Sequence, residues 1–364
     1  MVGGVIIIMR KILVVDDSAL MRSVICGIIN SDERFQVEDR AADGQSALEL
    51  LLRKEYDAVV LDVNMPVMNG LELLKELKKR KIAAKVVMAS TDTVDGAKVT
   101  LDALELGALD FVHKPGNAAE CRKETFSRRL IDILAVATES KATLTAKAFS
   151  FEENQTTKKM VELVKKHGTK MTGKKMVAIA SSTGGPKALQ QVIPRLPGNL
   201  AVPVLVVQHM PAGFTQSLAE RLDSLSEVTV TEAKDGDVLE AGHVYIARGG
   251  KHMNVKCSGG KYSIRYSDEP TREGVKPCAN YMYESLADSE LDEIICVVMT
   301  GMGADGTQGI KNLKEKKKVY VIAQEESTCA VYGMPKSVVN AKLSHQIVPL
   351  EQIAQEIIMN VGVK

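Results

Sequence analysis

The first third of the chain alternates short apolar runs with amphipathic segments. Four of the runs are apolar on both faces, which is typical of strands buried in a parallel sheet. Between the first two runs, apolar residues from Leu20 to Ile29 recur at helical spacing. The alternation predicts a doubly wound α/β domain. The four predicted strands are Lys11–Val15, Ala58–Leu61, Lys85–Ala89 and Asp110–His113.

A second α/β series follows a stretch that is rich in Thr, Lys and Glu and poor in long apolar runs. We interpret that stretch as a linker, with a short helix near Met160–Lys166. A Gly-rich segment, Val228–Ser267, indicates an antiparallel hairpin that is inserted in the second sheet or lies at its edge. The buried strands of this series are predicted at Met176–Ala180, Val202–Val207, Ile294–Thr300 and Val319–Ala323.

The pattern therefore predicts two doubly wound parallel-sheet domains of the α/β class, joined by a linker. We divide the chain into an N-terminal extension at 1–9, a first domain at 10–130, a linker at 131–174 and a second domain at 175–364. The first strand begins directly behind Met9, and we expect translation to begin at that residue.

The amino-acid composition of the chain narrows the classes of function that it could have. The 364 residues include 47 Lys and Arg against 46 Asp and Glu, so the whole chain lacks the basic excess of a typical nucleic-acid binder. The six cysteines form no CxxC pair, which argues against a zinc site and indicates a reducing, cytoplasmic setting. No apolar run approaches the ~18 residues that span a bilayer, so we expect no membrane insertion.

Charged and hydroxyl side chains follow all four strands of the first domain. They are Asp16 and Asp17, then Asp62, Ser90 and Lys114. The carboxyl ends of parallel strands meet at one edge of a sheet, where ligands bind. Three converging carboxylates favour a hard divalent cation, usually Mg²⁺, which would draw a phosphoryl donor toward a carboxylate nucleophile. A lone Asp at a strand end is most often a loop or helix-cap residue, but four such ends in order are much less often accidental.

The strand ends of the second domain carry Ser, His and Asp. Ser182 lies in the turn Ser181–Pro186, His209 follows the second strand and Asp305 follows the third. A nucleophile, a base and an orienting carboxylate are the groups that acyl transfer needs. Each residue alone has an ordinary structural explanation, but together they favour a triad. Ser181 remains an alternative nucleophile.

The first domain resembles a two-component receiver domain through VVDDSALMR, LDVNMPVMNG, VVMAS and FVHKP. The resemblance implies a flavodoxin-like fold with Asp62 as phosphoacceptor and Phe111 at an aromatic switch position. It also implies a cis Lys114–Pro115 bond. It assigns Mg²⁺ to Asp16, Asp17, Asp62 and the backbone carbonyl of Asn64, and the phosphoryl contacts to Ser90 and Lys114.

The second domain resembles the catalytic domain of the chemotaxis protein-glutamate methylesterase family. The matching segments are IASSTGGPKAL, VVQHMPAGFT, AGHVYIARGGKHM and VMTGMGADGTQG. The resemblance implies a Rossmann-like fold with Ser182 as nucleophile, His209 as base and Asp305 as its partner. The backbone amides of Thr183 and Met302 would form the oxyanion hole, and the ester chemistry would need no cofactor.

Together the two resemblances imply an enzyme of chemotactic adaptation in the cytoplasm. It would hydrolyse glutamate methyl esters, and deamidate glutamines, on methyl-accepting chemoreceptors. Phosphorylation of the receiver by a chemotaxis histidine kinase would activate it. Two segments depart from the family pattern: Arg248 stands where Pro is usual, and Pro277–Asn280 reads PCAN in place of PSVD. The second segment borders the site and bears on substrate preference.

Two other classes of protein compete with this interpretation. A response regulator with a DNA-binding output domain would carry a basic recognition helix, for which the sequence offers no good candidate. A nucleotide-binding α/β module would use the turn Ser182–Gly185 as a phosphate cradle. That module would need neither His209 nor Asp305 at a strand end.

Overall fold

The computed structural model describes residues 9–91, 94–115, 117–121, 124–139 and 173–364. The chain forms two compact units, Met1–Ser150 and Phe151–Lys364. Most of the predicted N-terminal extension and the short helix predicted near Met160–Lys166 lie outside the described residues. Within the described ranges, no helix is both long enough and apolar enough to cross a membrane.

The first unit is a parallel sheet with the strand order β2-β1-β3-β4-β5, which is the doubly wound order of flavodoxin-like folds. This confirms the fold class predicted for the first domain. The strands are β1 (Arg10–Val15), β2 (Phe35–Ala41), β3 (Ala58–Asp62), β4 (Val86–Thr91) and β5 (Asp110–Lys114). The helices are α1 (Ala19–Asn30), α2 (Gly44–Arg53), α3 (Gly70–Lys79), α4 (Val94–Leu106), α5 (Ala118–Cys121) and α6 (Glu124–Glu139).

Helix α6 corrects the predicted boundary of the first domain at 130, because it continues to Glu139. Leu130, Ile133, Leu134 and Ala137 are all buried in the core cluster that also contains apolar residues of β1, β3 and β4. Their spacing of three and four residues places them on one face of the helix. The end of the helix is therefore part of the first unit.

The second unit contains seven parallel strands in the order β14-β13-β12-β6-β7-β9-β8, with a separate antiparallel pair, β10 and β11. The strands are β6 (Lys175–Ser181), β7 (Val204–Gln208), β8 (Thr229–Glu232), β9 (His243–Ile246), β10 (His252–Ser258), β11 (Lys261–Ser267), β12 (Glu293–Val298), β13 (Lys318–Gln324) and β14 (Gln346–Val348). The helices are α7 (Gly185–Val192), α8 (Phe214–Leu225), α9 (Ala279–Ser285), α10 (Thr307–Lys314), α11 (Met334–Asn340) and α12 (Leu350–Val361).

The Gly-rich segment Val228–Ser267 contains two parallel strands and two antiparallel strands. Strands β10 and β11 form the predicted antiparallel hairpin. Strands β8 and β9 instead extend the main sheet in parallel beyond β7. The segment is therefore a sheet edge followed by a hairpin.

The chain reverses its direction of travel across the second sheet between β6 and β12. Strand β7 lies on one side of β6, whereas β12, β13 and β14 lie on the other. Open α/β sheets bind ligands at such a switch point, beyond the carboxyl ends of the strands. The turn that carries Ser182 and the loop that begins at Met299 both leave the sheet there.

Candidate functional sites

The first unit holds an acidic pocket at the carboxyl ends of β1 and β3. These strands pair in register up to Val15 and Leu61, so Asp16 and Asp62 leave the sheet side by side. Oxygen atoms of Asp16, Asp17 and Asp62 lie within 4.8 Å of one another. Asp16 and Asp62 are buried and Asp17 is exposed. The structure therefore brings together the three carboxylates that the sequence grouped.

The buried ammonium of Lys114 bridges two of these carboxylates. Its Nζ lies 2.9 Å from Oδ2 of Asp16 and 2.8 Å from Oδ1 of Asp62. Burial raises the pKa of Asp62 and Lys114 lowers it, and the net effect leaves that pKa above its usual range. One ammonium thus offsets only part of the pocket's negative charge. Three hard oxygen donors, one of them open to solvent, fit a divalent cation.

The remaining predicted residues of this pocket lie at the same sheet edge. Ala89 of β4 pairs with Asp62, so Ser90 follows directly beyond that pair, and its side chain is buried. Asn64 is two residues beyond Asp62, and its side chain is exposed. Phe111 is buried in β5. The cis peptide bond of the described residues is Lys276–Pro277, so the expectation of a cis Lys114–Pro115 bond is wrong. The trans form is the commoner isomer of X–Pro bonds.

The loop after Asp62 is closed by Gly70 at the start of α3. The Gly70 N–H donates to the Val63 carbonyl at 3.0 Å. A Cβ at position 70 would lie 2.2 Å from the backbone oxygen of Asp62, so only glycine fits. Asn69 and Glu72 form a reciprocal capping box that fixes where the helix begins. The phosphoacceptor candidate therefore stands at the base of a tightly constrained loop.

The second unit contains a buried pair between His209 and Asp305. The Nε2 of His209 lies 2.8 Å from Oδ2 of Asp305. Since an ionised carboxylate only accepts hydrogen bonds, Nε2 carries the proton and Nδ1 is the basic nitrogen. The pair thus supplies a base with its tautomer set by the carboxylate.

Asp305 is almost fully buried and accepts hydrogen bonds on both carboxylate oxygens. Burial alone would raise its pKa, but the hydrogen bond and charge of His209, with further donors, hold the pKa below its usual range. The carboxylate therefore stays ionised. Besides His209, the donors are the Cys278 thiol at 3.0 Å and the N–H groups of Ala279 at 2.6 Å, Asn280 at 2.9 Å and Gly306 at 2.9 Å.

Backbone hydrogen bonds place the Ser182 turn beside this pair. The His209 N–H donates to the Ser181 carbonyl at 3.1 Å, and the Ser182 N–H donates to the Thr300 carbonyl at 3.0 Å. The Ser181 hydroxyl donates to Oε1 of Gln208 at 2.7 Å. Ser181 is thus engaged in holding the turn, which favours Ser182 as the nucleophile.

Two backbone amides are available near Ser182. Within the described part of the chain, neither Thr183 nor Met302 donates its N–H to a protein acceptor. Gly301 packs so tightly on Ser182 that a Cβ there would lie 2.8 Å from the Ser182 Cβ. Met302 is the next residue after Gly301, so its backbone amide lies close to Ser182. Free amides beside a nucleophile are the usual donors for an oxyanion.

The two departures from the family pattern have structural counterparts. The residues Cys278–Asn280 surround Asp305, and Asn280 is itself completely buried. The exposed Arg248 donates its backbone N–H to the Tyr266 hydroxyl at 2.9 Å, which a proline could not do. Sequence reasoning noted both segments and placed the second at the border of the site, but it did not predict the contacts with Asp305. The only sequence signal for these contacts was that both segments depart from the family pattern.

The fold and the two clusters define a two-unit α/β protein with an acidic pocket in one unit and a Ser–His–Asp cluster in the other. Residues 177–357 match the family model described as CheB methylesterase, and residues 12–125 match the response regulator receiver domain. The chain belongs to the CheB methylesterase family, with a receiver domain on its N-terminal side.

Relatives and a solved structure agree with this assignment. A protein-glutamate methylesterase/protein-glutamine glutaminase from Geobacillus kaustophilus is 42% identical over 97% of this chain and 99% of its own length. A second enzyme of that description, from Syntrophomonas wolfei, is 42% identical over 96% of this chain and 98% of its own. The crystal structure of the Thermotoga maritima CheB methylesterase catalytic domain covers 52% of this chain and 99% of its own, with 42% identity and a TM-score of 0.50.

Replacing Gly301 tests the packing of the Ser182 turn. We expect Gly301→Ala to lower esterase activity by about 10²-fold or more, because the new methyl group would meet Ser182 and the Met334 sulfur and would push the Ser182 turn out of place. Gly27→Ala is the control, since a Cβ there meets nothing within 4 Å. Hydrolysis of a chromogenic ester measures the effect. Equal activity in both variants would contradict the placement.

Proposed function

We propose that this chain is a phosphorylation-activated hydrolase that removes methyl groups from glutamate methyl esters of chemoreceptors. The same machinery deamidates receptor glutamines. The proposal rests on the buried His209–Asp305 pair, which lies beside the Ser182 turn. The carboxylate bonds to Nε2 of His209, so it does not occupy the basic nitrogen, Nδ1. The family to which the chain belongs and the names of its relatives support the choice of substrate.

In the proposed reaction, the Ser182 hydroxyl attacks the carbonyl carbon of the side-chain ester, and Nδ1 of His209 takes the hydroxyl proton. The negative charge that develops on the carbonyl oxygen is held by the N–H groups of Thr183 and Met302. Collapse of the tetrahedral species releases methoxide, which leaves as methanol with the proton from His209. Water, deprotonated by His209, then hydrolyses the acyl-enzyme. A glutamine substrate releases ammonia instead of methanol.

Asp305 has a supporting role in each of these steps. Each proton that His209 accepts, from Ser182 or from water, turns it into an imidazolium, and the carboxylate 2.8 Å from Nε2 stabilises that charge. The donors around Asp305 keep it ionised despite its burial. The pair therefore acts through electrostatics and orientation, without moving a proton to the carboxylate.

The receiver unit is proposed to accept a phosphoryl group on Asp62 from a chemotaxis histidine kinase. Asp16, Asp17, Asp62 and the Asn64 carbonyl would hold Mg²⁺, which supplies charge neutralisation for phosphoryl transfer when bound. Lys114, already 2.8 Å from Asp62, and Ser90 would contact the phosphoryl oxygens. Phosphorylation would raise the hydrolase rate. We place the enzyme in the cytoplasm, acting on receptors without inserting in the membrane and without binding nucleic acid.

Replacing Ser182 tests the nucleophile. We expect Ser182→Ala to reduce methanol release from methylated receptors by about 10³-fold or more, because the acyl-enzyme cannot form. Ser181→Ala is the matched variant one residue earlier, and we expect a much smaller loss from it, since that hydroxyl supports the turn through Gln208. Full activity of the Ser182 variant, or a reversed order of the two, would refute the assignment.

Phosphorylation can be tested with acetyl phosphate as donor. We expect Mg²⁺ with acetyl phosphate to raise methanol release about 5- to 150-fold, the usual range for coupled sites. Chelation of Mg²⁺ should remove the stimulation in the wild type, because the carboxylates then lack the cation. Asp62→Asn should stay at its own basal rate with or without the donor. Stimulation of that variant would exclude Asp62 as the acceptor.

A further inference from the structure

We propose that the thiol of Cys278 is a positioning group for Asp305, fixing the carboxylate so that Oδ2 faces His209. This inference rests on the proposed function. It concerns a residue at which the chain departs from the pattern that it resembles. The argument follows from how the donors divide between the two carboxylate oxygens.

The two oxygens of Asp305 have different partners. Oδ2 accepts from the Ala279 N–H and from Nε2 of His209. Oδ1 faces away from the imidazole and accepts from the Cys278 thiol at 3.0 Å and from two backbone N–H groups. The thiol is the only side-chain donor that the described residues supply to Oδ1. Rotation of the carboxylate would break these bonds, so the donors on Oδ1 set the direction of Oδ2.

The thiol is in the correct protonation state for this role. Cys278 is completely buried. Burial, and then the charge and hydrogen bond of Asp305, raise the pKa of the thiol far above its usual value. The group is therefore a neutral S–H donor, not a thiolate. Its sulfur is close to the carboxylate for a donor that is weak by nature.

Cys296 shows what a buried cysteine looks like without such a role. It is also completely buried, within β12, and its neighbours belong to the apolar core. Cys296 fills space, whereas Cys278 directs its sulfur to a carboxylate oxygen. Cys296→Ala is therefore the matched control for the loss of a buried thiol.

Other titratable groups near the pair are the same in every variant. Burial, with the charge of Asp305 among the further causes, raises the pKa of the Tyr283 phenol, and its hydroxyl donates to backbone carbonyls. Glu273 accepts from the Asn280 side chain, and Arg272 pairs with Glu284. If the pH profile shifts when position 278 is changed, the shift is therefore assigned to the hydrogen-bond donor at that position.

The test compares donor and non-donor side chains at position 278 in the full-length chain. Cys278→Ala and Cys278→Val remove the donor, one with less volume and one with more, whereas Cys278→Ser keeps it. We expect the two apolar variants to lose about threefold to tenfold in kcat with KM little changed, because the imidazolium is less well supported. The serine variant should stay within about twofold of the wild type.

The pH profile separates positioning from packing. Without the S–H donor the carboxylate can turn away from His209, so the positive charge formed there is less well supported and the acidic limb of kcat/KM should move to lower pH. The limb should not move in Cys278→Ser or in Cys296→Ala. Thermal unfolding identifies any variant that does not fold. If either Cys278→Ala or Cys278→Val fails to fold, the other apolar variant is used for the comparison.

The outcomes distinguish this inference from the proposed function. A wild type that releases no methanol from methylated receptors would overturn the proposed function, whatever position 278 does. An active wild type with the same kcat and the same acidic limb in the alanine, valine and serine variants would overturn the positioning role alone. A similar shift in Cys296→Ala would also overturn it, because the effect would then be one of packing.

Discussion

A buried carboxylate needs compensation for its lost hydration, and both units of this protein are organised around one. Burial without donors disfavours the charged form by several kcal/mol. In the second unit, Asp305 receives donors on both oxygens, and its pKa is held below the usual range. In the first unit, Asp62 shares one ammonium with Asp16, and its pKa lies above the usual range.

This difference in compensation matches a difference in use. A carboxylate whose charge is fully compensated by hydrogen-bond donors is a poor nucleophile and is held in one orientation. Both properties suit a carboxylate that supports an imidazole. An incompletely compensated carboxylate gains from an added cation, and a solvent-exposed neighbour such as Asp17 keeps the pocket accessible. In the proposed mechanism, an aspartate beyond a parallel strand thus serves as a fixed partner in one unit and as a reactive group in the other.

The sequence predicts those parts of the fold and site that depend on buried strands. Every strand predicted in the first unit is present, and the residues after them meet because parallel ends share one edge. Strand β2 was not predicted, because as an edge strand it buries only Phe35 and Ala41 at its ends. The boundary of the first domain was placed at 130, before the end of α6, because the burial of this helix depends on packing against the sheet.

The surroundings of Asp305 were beyond a pattern-based prediction. Three of its donors come from 278–280, far from position 305 in the sequence, and two of these are backbone N–H groups that any residue type except proline would supply. The choice between Ser181 and Ser182 also needed the structure. Only the hydrogen bond to Gln208 shows that the first hydroxyl is engaged elsewhere.

The residue at position 280 shows how the departures at this site fit together. The Asn280 side chain accepts from the Gly306 and Gly309 N–H groups and donates to Glu273 at 2.8 Å. An aspartate, which the family pattern carries there, would still accept from both glycines. It would not donate to Glu273 when ionised, and it would add a buried negative charge close to Asp305. Asparagine instead provides both acceptor and donor and adds no charge of its own beside Asp305. The charge that faces His209 then comes from a single group, whose direction is set by the hydrogen bonds around it.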